Sequence, residues 1–138
     1  VSFLLDTNVI SELRKPPSRM HQQVQAWSAS TGGSEMYLSV ITLMEIEIGV
    51  ARMERRDARQ GAILRAWFAT VLMPRFEGRT IEVSVPIAVS AAGLQVPDPR
   101  PLADCLIAAT AVVHGLTVVT RNVRDFEPLG VATLNPWA

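Results

Sequence analysis

The chain has 138 residues, the size of one domain and enough to enclose a hydrophobic core. Nearly half of it is apolar and 19% is charged, which excludes a disordered or collagen-like chain. Its 13 basic and 13 acidic residues cancel, which argues against a surface that attracts nucleic acid everywhere but allows a basic face apart from an acidic site.

In chain order, Phe3 to Leu5 reads as a short buried strand ending at Asp6. A helix starts near Thr7 or Asn8 and is over by Pro16-Pro17, because proline cannot continue it. A second helix is expected over Met20 to Ser28, with Val24 and Trp27 on one face, and Gly32-Gly33 marks a turn. Met36 to Ile41 reads as strand two. From Thr42 the period turns helical, with Leu43, Ile46 and Val50 on one stripe. Asp57 caps a further helix whose apolar stripe is Ile63, Leu64, Trp67, Phe68, Val71 and Leu72, closed by Pro74 and Gly78. Thr80 to Val83 is strand three, and Pro86 opens another helix. After the stiff loop Pro97 to Pro101 comes an alanine-rich helix from Leu102 to His114, stopped by Gly115. Leu116 to Val119 is strand four, apolar enough to be central. Val131 to Leu134 is a last edge strand. Strands alternating with longer helices, without repeat or linker, predict one α/β domain over 1–138 with a central, mostly parallel sheet of four to five strands.

The acids fall at telling places on this outline. Asp6 follows strand one directly, Glu45 and Asp104 lie in first turns of helices, and Asn122 and Asp125 follow strand four. Open parallel sheets bind ligands beyond the carboxyl ends of their strands. Several carboxylates gathered there repel one another unless a cation holds them, and oxygen-only ligands favour Mg²⁺ or Mn²⁺. Two histidines and one cysteine make a zinc site of the usual kind a poor fit. No glycine-rich phosphate loop follows strand one, and no Asp-x-Asp-x-Thr phosphatase pattern is present.

Each acid also has a structural explanation. Asp6 is a good helix cap. Thr42-x-x-Glu45 is a capping box, and Asp104 suits a helix dipole. Asn122 and Asp125 suit a turn. Three capping residues meeting by coincidence at one sheet edge is the weaker account. Cys105 reads as a small buried hydrophobe, and Trp27, Trp67 and Phe68 as packing residues. Arg52, Arg55, Arg56 and Arg59 form a basic stripe, but Glu54 and Asp57 interrupt it. A solvated face is the expectation there, with RNA contact the alternative. The sole cysteine allows no intrachain disulfide. The opening reaches Asp6 too early for a signal peptide, and no apolar run reaches the ~18 residues of a membrane span. A soluble cytoplasmic protein is expected.

These residues carry a family resemblance. Leu4-Leu5-Asp6-Thr7-Asn8-Val9-Ile10 resembles the opening motif of PIN-domain nucleases, especially VapC-type toxins of bacterial toxin–antitoxin pairs. Leu38 to Glu45 followed by Gly49 is similar to their second acidic motif, and Leu102 to Ala111 to the third. Val119-Thr120-Arg121-Asn122 with Asp125-Phe126, and the tail Leu134 to Trp137, are similar to the closing segment. The resemblance implies an α/β/α sandwich and Mg²⁺- or Mn²⁺-dependent cleavage of RNA, with Asp6, Glu45 and Asp104 holding the metal. It implies Asn122 at the fourth position, where the family often has aspartate, and so leaves Asp125 as the other source of charge. Thr7, Ser39 and Thr120 are placed to hydrogen-bond water, metal ligands or phosphate. A VapB-like antitoxin partner, presenting a helical tail to an apolar groove, and a homodimer are also implied. The alternative is a PIN-fold module that binds RNA or protein with weak catalysis or none.

Overall fold

The structure, a computed structural model, describes residues 1–138. Five strands form one parallel sheet in the order β3-β2-β1-β4-β5: β1 Phe3–Leu5, β2 Met36–Ser39, β3 Thr80–Ile81, β4 Thr117–Val119 and β5 Thr133–Leu134. β1 is the middle strand, with Phe3 opposite both Met36 and Thr117. Alternation along the strands feeds two cores, one on each face of the sheet. Leu4 and Val118 pack with Ile87, Ala91, Cys105, Ala108 and Phe126. Leu5 and Val119 point the other way, into Val9, Ile10, Met36, Ile46, Val50 and Phe76. The sandwich is α/β/α, as the family resemblance implies, around the parallel sheet expected from the strand–helix alternation.

The helices are α1 Thr7–Leu13, α2 Gln22–Ser30, α3 Val40–Arg56, α4 Ala58–Trp67, α5 Met73–Arg75, α6 Val85–Gly93, α7 Leu102–His114 and α8 Val123–Phe126. Most expected ends hold, including the left-handed Gly115 that stops α7 at φ 67°. The departures have local causes. α2 starts two residues late, because the His21 Nδ1 accepts the Gln23 N–H and caps it. Strand two ends at Ser39, not Ile41: the Ser39 Oγ accepts the Ile41 N–H at 3.0 Å, so two β-branched residues open α3 instead. Strands three, four and five keep two or three residues each, enough to extend a sheet already anchored by β1 and β2. Between α4 and α5 the helix widens over Phe68–Leu72, where the Met73 N–H reaches back to the Phe68 carbonyl, one residue before the N–H-less Pro74. No helix is long and apolar enough to cross a membrane.

The strand order reverses between β1 and β4. Successive units build outward from β1 to β2 and β3, and then the chain returns to β1's other side. Loops leaving β1 and β4 part there, at the carboxyl edge, where open parallel sheets form their ligand crevice.

Candidate active site

Asp6 stands at that crevice, 7% exposed. Its backbone N–H still bonds the Val119 carbonyl across the β1–β4 seam, while its side chain caps α1. Oδ1 accepts the Thr7 N–H at 2.9 Å. Oδ2 accepts the Thr120 hydroxyl at 2.8 Å and the Asn8 amide at 3.3 Å. Burial pushes this carboxyl above its ordinary range, and the bonds from Thr120, Thr7 and Asn8 pull it back; the Asp125 charge adds a smaller upward push. The cap reading of Asp6 therefore holds, yet Oδ2 is held from across the sheet, which a cap does not need.

Glu45 comes from α3. The Thr7 hydroxyl donates to its Oε1 at 2.8 Å, tying the second acid to the residue after the first. The capping-box alternative is excluded, because Ser39 caps α3 and Thr42 is buried with its Oγ1 unpartnered. Asp104 lies half-buried in the first turn of α7. Its carboxyl is pushed up to about 6 by burial first, then by the charges of Asp6, Asp125 and Glu45. These four carboxylates, widely separated in sequence, thus share one field. Every ion pair in the chain lies elsewhere, so none of the four is paired with a basic side chain.

Asn122 is exposed at the rim. Its backbone N–H donates to the Thr120 Oγ1 at 3.0 Å, and its side chain makes no cap bond to α8. Of the two residues considered for the fourth place, Asp125 is the one whose charge reaches both Asp6 and Asp104. Ser39 is fully buried and spent on its cap, so it does not face the crevice as a ligand-holding group. Cys105 is buried and lies within hydrogen-bond distance of the Gln95 amide.

Two positioning residues escaped the sequence reading. Asn8 bridges the two loops: its amide reaches Asp6 and the Thr120 Oγ1, and its Oδ1 accepts the Arg121 N–H at 3.1 Å. Gln95 braces the loop before α7 through both directions of an amide pair with the Arg100 backbone, at 2.8 and 3.1 Å. The Asn-after-Thr step in the opening motif was the available signal for Asn8. For Gln95 there was none.

The PIN domain family matches residues 3–130. The chain belongs to the PIN-domain family. Among PIN-domain relatives, it is 35% identical to the VapC ribonuclease Y4jK of Sinorhizobium fredii, over 98% of this chain and 97% of that one. It superimposes on the crystal structure of FitAcB from Neisseria gonorrhoeae with a TM-score of 0.87 at 36% identity, covering 98% of each chain. A toxin–antitoxin complex from Klebsiella pneumoniae follows the same PIN fold with a TM-score of 0.64 at 28% identity, again over 98% of each chain.

No three His, Cys, Asp or Glu side chains form a ready-made metal cage. The donor chemistry nonetheless fits a hard divalent ion. Mg²⁺ keeps several waters and takes only one or two carboxylates directly, and here the charges of Asp6, Asp125 and Glu45 raise the affinity of Asp104 for a proton.

Proposed function

We propose that the chain is a cytoplasmic, Mg²⁺- or Mn²⁺-dependent endoribonuclease, the toxin of a type II pair neutralised by a VapB-like antitoxin. The observation that carries this reading is the group of carboxylates sharing one uncompensated field at the strand-order reversal. The relatives' names support RNA as the substrate.

Asp6 and Asp104 would hold the ion, with Glu45 bound directly or through water. Such an ion supplies a more acidic attacking water and charge stabilisation at phosphorus. Thr7 fixes the Glu45 carboxylate, while Asn8 and Thr120 fix Asp6 so that one oxygen pattern is presented to the crevice. Asp104 would have to give up its proton to hold the ion, so acid should weaken metal binding. Asn122 at the rim would orient water or phosphate. In-line attack would leave a 5′-phosphate and a 3′-hydroxyl.

The antitoxin's seat would be the groove lined by Ile10, Leu13, Trp67 and Val71, with Arg14 and Arg75 at its sides. A second groove, sharing Arg14 and Trp67 with the first, runs past Ser11 and Gly49 to Thr7 and Glu45. A tail laid there would reach the acids and stop substrate entering. A homodimer belongs to the same reading; exposed Val85 and Val89, one turn apart on α6, supply apolar surface for it.

The test is cleavage of RNA by the purified chain. Mg²⁺ or Mn²⁺ should support it, and a chelator should stop it. Asp6→Asn and Asp104→Asn should abolish it while melting as folded proteins. Cleavage that survives chelation, or variants as active as the parent, would overturn the proposal. Tight RNA binding with no cleavage under any divalent ion would favour the binding module instead.

A further inference from the structure

We propose that the tip of the α3–α4 hairpin, Arg52, Arg55, Arg56 and Arg59, binds phosphates of the RNA flanking the cut. The destination of that RNA rests on the ribonuclease reading above; the charge of the surface does not. All four side chains are exposed, and none forms an ion pair. The two acids that interrupt them in sequence are committed elsewhere. Glu54 takes two hydrogen bonds from the Arg65 guanidinium, at 2.9 and 3.2 Å. Asp57 uses its Oδ1 to cap α4, accepting the Arg59 and Gln60 N–H groups at 3.1 Å each. The face is solvated, as the sequence suggests, and its four guanidinium groups have no ion-pair partner in the chain.

Fold stability accounts for only part of it. Arg55 and Arg56 sit at the C-terminal end of α3, where the helix dipole welcomes cations. Arg59 sits in the first turn of α4, where the dipole opposes one. Four like charges within residues 52–59 also repel. In a chain of zero net charge, such a concentration is a local excess that an external polyanion would relieve.

Position supplies the link to the site. Arg52 and Arg56 follow Glu45 by seven and eleven residues, which places them within ~20° of its side of α3 and about 10 and 16 Å further along the axis. Gly49 lies on the same stripe, with no side chain and open space where a Cβ would stand. A strand whose scissile phosphate meets Glu45 can pass over Gly49 and lay its next phosphates on the arginines. Guanidinium groups suit that task through paired donors.

The experiment compares the parent with a variant carrying Arg52→Gln, Arg55→Gln, Arg56→Gln and Arg59→Gln, and with the single charge control Arg100→Gln. Binding of a labelled stem-loop RNA is followed by fluorescence anisotropy in EDTA across a salt series. Cleavage of the same RNA is followed separately in Mg²⁺. The fourfold variant should bind about tenfold or more weakly at physiological salt, with the log Kd–log salt slope shallower by roughly 0.7 for each phosphate contact removed. Its kcat/KM should fall in step, and Arg100→Gln should match the parent. Lysines at the four positions should restore much of the salt slope. Unchanged Kd and slope in a folded fourfold variant would sink the proposal, as would a loss confined to antitoxin binding. A parent that binds with the steep slope but never cleaves would refute the ribonuclease reading and leave this surface standing.

Discussion

Asp104 shows what a single residue at this site costs the fold. Its carboxyl titrates at about 6 in the native chain against an ordinary 3.8. Between those values the unfolded chain gives up its proton first, so the native state binds more protons and stability falls as pH rises from about 4 to 6. Asp6, shifted in the same direction, adds to the fall. Above pH 6 the penalty is constant. Thermal melts in EDTA should therefore show the midpoint dropping across that window, and Asp104→Asn should flatten the drop and melt higher at neutral pH. Added Mg²⁺ should raise the parent's midpoint at pH 7.5 and not at pH 4, because it binds the ionised native site. A parent midpoint that is level from pH 4 to 6 would show that burial and neighbouring charge do not hold the Asp104 proton. At this scale the sequence exposed Asp6 at a strand end and Asp104 in a helix's first turn; it exposed Glu45 too, but one turn early, because Ser39 starts α3 ahead of the expected Thr42. It placed Thr120 as a hydrogen-bonding residue of the site, and the Thr120 hydroxyl does donate to Asp6. It hid Asn8, an ordinary capping type whose role arises from bonds to Thr120 and Arg121, more than a hundred residues away, which no local period encodes.

Among the elements, the α3–α4 hairpin couples Glu45 to the arginine tip, and its geometry turns on Gly61. The glycine is buried, and a Cβ there would overlap the Glu54 backbone. In an isolated helix, alanine for glycine gains about 1 kcal/mol. Here backbone stands in the way and cannot rotate aside, so the overpacking cost of roughly 1–3 kcal/mol, or more, outweighs the gain. Gly61→Ala should lower the thermal midpoint by about 4 °C for each kcal/mol lost. It should also disturb the Arg65 bonds to Glu47 and Glu54 that pin the two helices. A higher midpoint would mean that the helices are free to part. The hairpin was legible as two helices divided by Asp57, because the cap and the apolar stripes are local signals. The close crossing was not, since a lone glycine in a helical run looks only like a weak position. The end of β2 was misread for a related reason: Val40 and Ile41 favour strand, and one hydroxyl at Ser39 outweighed them.

On the scale of the whole molecule, balanced charge conceals segregation: acids at the carboxyl edge, arginines at the hairpin tip, and an apolar groove beside Arg14. Parallel architecture was readable from alternating strands and helices. The strand order was not, because β3 and β5 are two-residue strands placed by their neighbours, not by their own composition. That order is nevertheless what brings Thr120 beside Asp6, and the helices that follow make the groove. Val71 lines this groove and is 49% exposed, so its side chain contributes little to the core. Val71→Glu should leave the midpoint within ~0.5 kcal/mol of the parent's stability. In a complex the same carboxylate would be desolvated against an apolar tail, a penalty that Arg14 and Arg75 at the groove's sides offset only in part. Calorimetry with the cognate antitoxin should then show affinity reduced by tenfold or more, as ~1.4 kcal/mol already gives that factor. RNA cleavage should continue in the presence of antitoxin that silences the parent. If Val71→Glu binds and is silenced like the parent, the antitoxin sits elsewhere, and the groove beside Arg14 has another occupant.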